Sequence, residues 1–501
     1  MATYDDKNVC ICGDFNVVRS VSERQVWGLF NVFPGYNLFV RDQWHSFQLE
    51  GWGGFVLKEK LKLMKLALKD WHIRHSQNLP EKIVSLKDKI SSFDLKGETE
   101  DLLESELEEY HWLSKDLFSL SRSHASICWQ QSRALWLREG DANSKYFHGV
   151  MSSRRRGNVV TCFLVDGVLI EGVDNVRRAV FSHFSTHFQA SNVQHPSIEG
   201  LQFSSLSPRE GACLVQPFSM EEVRAAVWDC DNYKCPGPDG ITFGFIKEFW
   251  DILRDDVMRF LGEFHRNGRL RKGINSTLIS LIPKVESPQR LNDFHPISLV
   301  RSMYKILAKV LANRLRSIIG SVILDFQSAF VKDRQILDGI LVANEVVDDA
   351  RKSKKELLLF KVDFEKAYDS IDWSYLDEVM YKMGFPVLWR KWIKQCIGTA
   401  TTSVLVNGSP TDEFPMKQGL RQGDPLSPFL LEGRKTQEGG VELCFTNYRF
   451  LYKTQKTYDQ KQIRQLLKMK FRSVCSGMIN REKREEAGHK QFIQVPSTNR
   501  K

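Results

Sequence analysis

The sequence predicts an α+β fold, and three observations carry that prediction. Apolar residues recur at helical spacing over the first 120 residues, hairpin turn signals stand at Asp166-Gly167 and Asn407-Gly408, and continuous apolar runs such as Leu357–Phe360 have the character of buried strands. With 42% apolar and 26% charged residues the chain is globular in composition, and its 501 residues suffice for two to four domains of roughly 100–200 residues. No apolar run is long enough to mark a membrane span.

The net charge of +10 is unevenly placed. Residues 432–501 hold 16 Lys/Arg against 7 Asp/Glu, so residues 1–431 are nearly neutral and the overall basicity does not make the main body a polyanion binder. The amino-terminal MATYDDKNVCICGDF lacks a basic region followed by an apolar stretch. No secretory signal is therefore expected, and the ten cysteines are expected as free thiols in the nucleus or cytoplasm. No paired CxxC suggests zinc, and His183 and His187 in FSHFSTHF share a helical face that reads as aromatic packing surface.

Taken in order, FVLKEKLKLMKLALKDW places Leu57, Leu61, Met64, Leu68 and Trp71 on one stripe of an amphipathic helix. A second helical stretch carries Leu103, Leu107, Tyr110 and Leu117, and its acidic first half is expected to face the basic first helix as an antiparallel pair. WQQSRALWLREGDANSKYFHGVMSSRRRGN then interleaves aromatic rings with cations, including Arg154, Arg155 and Arg156. That mixture suits a nucleic-acid strand and equally suits a solvated surface over core aromatics. NVVTCFLVDGVLIEG reads as two short strands joined at Asp166-Gly167.

LISLIPK is a strand ending in Lys284, and Asp293–Leu315 reads as a turn followed by a helix. Met303, Ile306, Leu307, Val310 and Leu311 form the buried stripe of that helix. Lys305, Lys309 and Arg316 are left on an outer face that could take a polyanion or remain an ordinary solvated face. LLLFKVDFEKAYDSIDW delivers Asp363 at a strand end, a position from which a carboxylate can hold a divalent cation. After the Asn407-Gly408 hairpin comes a polar loop in which Gly419 and Gly423 permit close backbone approach to a ligand and Gln422 supplies a donor and an acceptor. Pro428 then fits the first turn of a helix.

CPGPDGITFGFIKEFW, LISLIPK, DFHPISLV with YKILAKVLANRL, DFQSAFVKDRQILDGILVANEVV, KVDFEKAYDSIDW and GLRQGDPLSP follow one another along the chain. In that order, from about Gly51 to Leu431, they resemble the pol-type polyprotein of plant LINE-like (non-LTR) retrotransposons. The aromatic and basic segment before them resembles the piece between endonuclease and polymerase in that family. The resemblance implies a right-hand polymerase fold, with fingers before Asp363 and a palm around Asp363 and Gln422. By motif match, Asp363 is the catalytic ligand of the first of two Mg²⁺ ions and Phe364 lends its backbone nearby. Tyr368 lies under the sugar of the incoming deoxynucleotide, Gln422 and Gly423 line the nucleotide and template side, and Lys284 approaches the triphosphate. The implied reaction is attack of a DNA primer 3′-oxygen on an α-phosphate, directed by an RNA template.

The departures from the family pattern carry expectations of their own. Phe294-His295-Pro296 stands where a Phe-Arg-Pro is expected, replacing a permanent cation with a mostly neutral imidazole. No aromatic-x-Asp-Asp follows Leu431, and the only aspartate after Asp424 is Asp459, so inactivity is expected. A palm sheet without that hairpin is expected to expose strand edges. CICGDFNVVRSVSER resembles a central endonuclease motif with Asp14 and Asn16 in place, but no glutamate precedes Asp14 and no Asp-His dipeptide occurs. The expected organisation is an endonuclease/exonuclease/phosphatase-fold remnant at 1–35 and a helical linker at 50–157. A hairpin plus helix connector follows at 158–215, then fingers at 216–356, a partial palm at 357–431 and an unrelated basic tail at 432–501. A chain truncated at both catalytic domains could otherwise persist as a nonenzymatic RNA- or DNA-binding remnant using Arg154–Arg156, Lys305 and Lys309, or as an unstable pseudogene product.

Overall fold

The computed structural model describes residues 35–76, 79–132, 159–190, 198–199, 203–232, 234–322 and 367–432. It also describes short pieces at 341, 344–345, 348–349, 351–353, 358–360, 437–438, 441–442, 449–451 and 492–494. The expectations for Asp14, Asn16, Arg154–Arg156, Asp363 and Phe364 lie outside the described residues.

The amino-terminal helices are α1 (Tyr36–Ser46) and α2 (Gly53–Ser76). Helix α2 buries Leu57, Leu61, Met64, Leu68 and Trp71, the stripe its spacing predicts, against α1 and against a later helix, α9 (Trp250–Asn267). Each such side chain contributes roughly 1.5–3 kcal/mol on leaving water. The stretch is thereby part of the main core.

The expected pairing of the acidic helix with α2 is overturned. An intervening helix, α3 (Leu79–Gly97), forms the antiparallel pair with α4 (Glu104–Ser132) instead. Ile83, Leu86, Ile90 and Phe93 recur at helical spacing in α3, and Phe93 meets Tyr110 edge to face at 6.5 Å. Lys96 and Glu106 close the turn with an ion pair of 2.5 Å. The physical reason is proximity: a short connection places two consecutive helices side by side, while the stripe of α2 is already consumed by α1 and α9.

Next come the hairpin β1 (Cys162–Val165) and β2 (Val168–Glu171), turning at Asp166 (φ 50°) and Gly167 (φ 81°) as expected for an Asp-Gly pair. Helix α5 (Val173–His187) follows, then α6 (Pro208–Leu214), α7 (Met220–Trp228) and α8 (Phe243–Glu248). The central sheet begins with β3 (Ser276–Pro283), which pairs antiparallel with β4 (Phe294–Val300) and parallel with β6 (Thr401–Val406).

Phe294–Val300 is a strand where a turn was expected. Pro296 obscures it in the sequence, and the structure accommodates the missing N–H by giving β4 the end position of the order β4-β3-β6. After β6, the tight turn at Asn407 (φ 49°) and Gly408 (φ 82°) leads to β7 (Ser409–Pro410), and β8 (Phe414–Pro415) pairs with the start of β6. Phe163, Val176, Val180 and Phe184 from the hairpin and α5 pack with Ile279, Phe294, Val404 and Phe414 of the sheet.

The sheet leads into α10 (Ser302–Val322), which is buried around most of its circumference, adding Tyr304, Ala308, Ala312, Leu315 and Ile319 to the expected stripe. Helices α11 (Trp373–Lys382), α12 (Val387–Gly398) and α13 (Ser427–Glu432) complete the core.

Strand β5 (Leu358–Phe360) has a partner on each edge, Arg449–Leu451 (β9) and Phe492–Gln494 (β10), so the exposed edges expected there are covered. The described cysteines are free thiols, as expected, and among the described residues no helix is long and apolar enough to cross a membrane.

Candidate functional site

The site is assembled from three backbone segments that lock onto one another. The loop 416–424 lies between the turn 367–371 and strand β4. Gly419 N–H donates to the Ile371 carbonyl (2.8 Å) and Leu420 N–H donates to that of Tyr368 (2.7 Å). Two residues after Leu420, the Gln422 carbonyl accepts from Ser298 N–H of β4 (2.7 Å).

Two glycines permit this approach. Gly419 (φ 80°) and Gly423 (φ 104°) have backbone conformations that disfavour L side chains, and a Cβ on either would sit 2.8 Å from a carbonyl oxygen, of Asp369 and Ser298 respectively. The structure therefore brings Tyr368, Gln422 and Gly423 into one locality beside β4, with Tyr368 half-buried, packed against the core.

A buried polar network holds the loop from beneath. Arg421 donates to Asn275 Oδ1 (2.5 Å), Thr277 Oγ1 (3.0 Å), the Cys396 carbonyl (3.2 Å) and Asp424 Oδ2 (2.7 Å). Tyr304 donates its hydroxyl to the same Asp424 oxygen (2.8 Å), and the guanidinium lies 4.2 Å from the Tyr304 ring centroid. Burial alone would pull the Arg421 pKa down; Tyr304, Asp424 and Cys396 around it outweigh that, and the guanidinium stays charged. Burial raises the Tyr304 pKa, keeping its hydroxyl a donor, and pushes the Cys396 thiol up to about 12, leaving it inert.

Beside the loop, Lys284 follows β3. Its backbone N–H donates to the Asp293 carbonyl (2.7 Å) and its ammonium to the Asn292 carbonyl (2.9 Å), leaving an exposed side chain at the mouth of the β3–β4 turn. His295 stands in β4, and burial, with the Lys284 charge second, lowers its pKa. The imidazole is neutral at pH 7, consistent with the reading of Phe294-His295-Pro296 as the loss of a fixed cation.

On the other side, α5 anchors the site. His187 Nε2 lies 3.1 Å from Asp369 Oδ2, Gln418 Nε2 donates to the His187 carbonyl (2.8 Å), and Lys417 N–H donates to the Phe188 carbonyl (2.9 Å). His187 thus serves the turn at 367–370, and its ring stacks on that of His183 at 6.2 Å.

Lys305 and Lys309 do not stand on an open outer face. Lys309 is 15% exposed and pairs with Asp229 at 2.6 Å, while the Lys305 ammonium lies 5.3 Å over the Phe243 ring. The cause is the wide burial of α10, whose polar positions abut α7 and α8. Arg421, Asp424, Tyr304 and Asn275 are the residues that sequence reasoning missed. Their signal was a charge pair three residues apart between Leu420 and Leu426, both buried.

Metal ligation was tested against the donor set. Among the described residues no three His, Cys, Asp or Glu side chains converge on a point that could hold a cation, and Asp363 lies outside them. The described residues therefore do not by themselves make a two-metal site.

Residues 282–433 match the family model for reverse transcriptase (RNA-dependent DNA polymerase), which spans β3, β4, the 367–371 turn and the 416–424 loop. The "Transposon TX1 uncharacterized 149 kDa protein" of Xenopus laevis is 26% identical over 467 residues, covering 88% of this chain and 35% of that relative. The "Retrovirus-related Pol polyprotein from type-2 retrotransposable element R2DM" of Drosophila melanogaster is 27% identical over 233 residues, 45% of this chain and 22% of its own length. The "RNA-directed DNA polymerase from mobile element jockey" of the same fly is 24% identical over 233 residues, again 45% of this chain and 25% of its own. The chain spans about a third or less of the length of these relatives. Reverse transcriptases as a family use divalent metal ions and bind an RNA template and nucleotides. From the motif order, the matched region and these relatives together, the chain carries a reverse transcriptase domain of the non-LTR retrotransposon type.

Proposed function

We propose that this chain is the fingers and partial palm of a LINE-like reverse transcriptase, built to hold RNA template, DNA primer and a deoxynucleotide, and that as a 501-residue chain it does not extend a primer unaided. The ancestral activity is RNA-directed DNA synthesis by two-metal phosphoryl transfer. One observation carries the binding half of this reading. The 416–424 loop, with Gln422 and Gly423, is locked to both the Tyr368 turn and β4 by backbone hydrogen bonds of 2.7–2.8 Å. A platform fixed in that way keeps its shape whether or not chemistry follows.

The residue roles are those of the motif match. Asp363 would ligate the first Mg²⁺, Phe364 would lend its backbone, Tyr368 would lie under the sugar, Gln422 and Gly423 would line the nucleotide and template side, and Lys284 would reach the triphosphate. The second half of the proposal rests on charge. Two cations about 3.5–4 Å apart need several converging carboxylates, and after Leu431 the sequence offers no aromatic-x-Asp-Asp. His295 weakens nucleotide grip further, because a neutral ring replaces a permanent cation.

The test is primer extension on a primed RNA template with Mg²⁺ and deoxynucleotides, run beside binding of the same primed template. The expected result is retained binding with no extension above a no-protein control. Extension that disappears in Asp363→Ala would overturn the inactivity. Absence of both binding and extension would overturn the platform reading.

A further inference from the structure

We infer that the chain has a second surface for single-stranded nucleic acid, made by the α9–β3 connector, the exposed side of α12 and the Trp52 corner of α2, at the end of β3 remote from Lys284. The connector sequence NGRLRKGINS carries Arg269, Arg271 and Lys272 with no acidic residue among them, and all three are exposed. Gly268 turns the chain out of α9 in the left-handed conformation (φ 57°), and a Cβ there would come within 3.1–3.2 Å of the stem of Lys391 of α12. Lys391 and Lys394, both exposed, extend the same basic surface, and Leu270 N–H donates to the neighbouring Gln395 (3.3 Å). None of these five cations forms an ion pair with a described residue.

The aromatic component is fixed to the cations. Trp52 is 48% exposed and Phe55 44%, so both rings reach solvent. The Arg271 guanidinium lies 4.4 Å from the Trp52 ring centroid. Trp52 is held there by its neighbours: Gly53 N–H donates to Glu263 (2.5 Å), and a Cβ on Gly53 or Gly54 would collide with Arg259, Phe260 or Ile274. Nearby acids are few. Glu263 is engaged by Gly53, Glu59 lies between Lys58 and Lys62 at 3.4 and 3.5 Å, and the exposed Glu413 accepts from Thr401 opposite Ser276, while Glu50 is an exposed carboxylate two residues before Trp52.

Five unneutralised cations beside a guanidinium–indole stack offer phosphate neutralisation and a flat π surface together, the combination that binds single strands with little sequence preference. The two exposed rings are too small an apolar area for the surface to act mainly by burial in a membrane or against an apolar protein face. The eight residues of β3 separate this surface from Lys284 by roughly 26 Å. It meets the network beneath the Gln422 loop, where Arg421 donates to Asn275 of the connector, but it shares no cation or ring with Lys284, Tyr368, Gln422 or Gly423, so its existence does not depend on the proposed reading of that platform.

The experiment uses the full chain and a fluorescein-labelled oligouridylate containing 4-thiouridine. Affinity is measured by anisotropy across a salt series, and crosslinked peptides are mapped by mass spectrometry. Crosslinks are expected in the peptides holding Trp52 and Arg271, and they should persist in Gln422→Ala. The combined variant Arg269→Gln, Arg271→Gln and Lys272→Gln should flatten the log–log salt dependence by about 2, at about 0.7 per lost phosphate contact. Trp52→Ala should weaken binding roughly 5- to 100-fold, with Trp52→Phe largely restoring it.

Thermal melts check that each variant folds. Should Trp52→Ala melt early, the pair Lys391→Gln and Lys394→Gln, remote from the Trp52 packing, must still reduce the salt slope. Crosslinks confined to other peptides, or salt dependence and affinity unchanged in every variant, would overturn the inference. So would equal, Trp52-independent binding of heparin or of phosphatidylserine vesicles, which would reduce the surface to a plain basic patch.

Discussion

A methyl group added at Gly237 would sit 2.2 Å from the Val300 carbonyl oxygen, a position held by rigid backbone on both sides. Gly237→Ala is therefore expected to cost at least about 1–3 kcal/mol, read as a fall in melting temperature. Gly262→Ala, in the interior of α9 with open space around it, should instead raise stability by roughly 0.4–1 kcal/mol. Equal melting temperatures for the two variants would refute the contact. Removing one partner of the buried Arg421–Asp424 pair should cost about 3–5 kcal/mol, because it strands a charge. Replacing both with Met and Leu should cost distinctly less, and urea titrations of the single and double variants decide between them. That the backbone comes close to something at Gly419 and Gly423 was legible, but the expected neighbour was a ligand and the observed one is the chain's own carbonyls at Asp369 and Ser298. The role of Arg421 was not. Its partners Asn275 and Thr277 lie well over a hundred residues away, and RQGDP alone reads as an ordinary turn.

Helices and strands divide according to where their information lies. Helix α2 was legible because its stripe is continuous and each predicted member is buried. Its partner was not legible, because charge complementarity favoured α4 while chain connectivity gave α4 to α3. Strand β4 was hidden by Pro296, and α10 was read with one buried side when it has several. That last difference moved Lys309 from solvent to a contact with Asp229, which holds the carboxylate below its ordinary range. The CPGPDG segment shows an element secured from a distance. Asp239 accepts the backbone N–H and the hydroxyl of Ser302, each at 2.7 Å, and so caps the start of α10. Asp239→Ala should lower stability by about 0.5–2 kcal/mol, most of which Asp239→Asn should recover. A full recovery of stability in Asp239→Ala would show that the cap is idle.

For the molecule as a whole, titration has a definite sign. Burial lowers the His295 pKa, so the fold favours the neutral ring and its contribution is present above about pH 6.5 and fades as pH drops below that. Asp229, Glu210 and Asp251 have lowered pKa values, chiefly through hydrogen bonds to Lys309, Ser207 and Arg41. Their contributions are present above about pH 4 and are lost as pH falls through the folded values. His295 therefore lowers the unfolding free energy as pH falls below about 6.5, the three carboxylates add to the fall below about pH 4, and Glu248, whose pKa burial raises, works in the opposite direction. His295→Gln should flatten the decline just below about pH 6.5 on urea titration, and an unchanged decline would contradict the assignment. The mixture of helices and strands was visible at this scale, because helical stripes and hairpin turns are written in local sequence. The closing of β5 by strands near 450 and 493 was not, since three-residue strands leave no periodic trace. The deep burial of α10 has one further consequence. Its coverings include α6 and α7, made before it, and α13, which the ribosome completes about a hundred residues later, or roughly 5–20 seconds at ordinary translation speeds. During that wait a nascent α10 shows a bare apolar flank, and a chaperone able to shield it would govern how much of this protein reaches its native state.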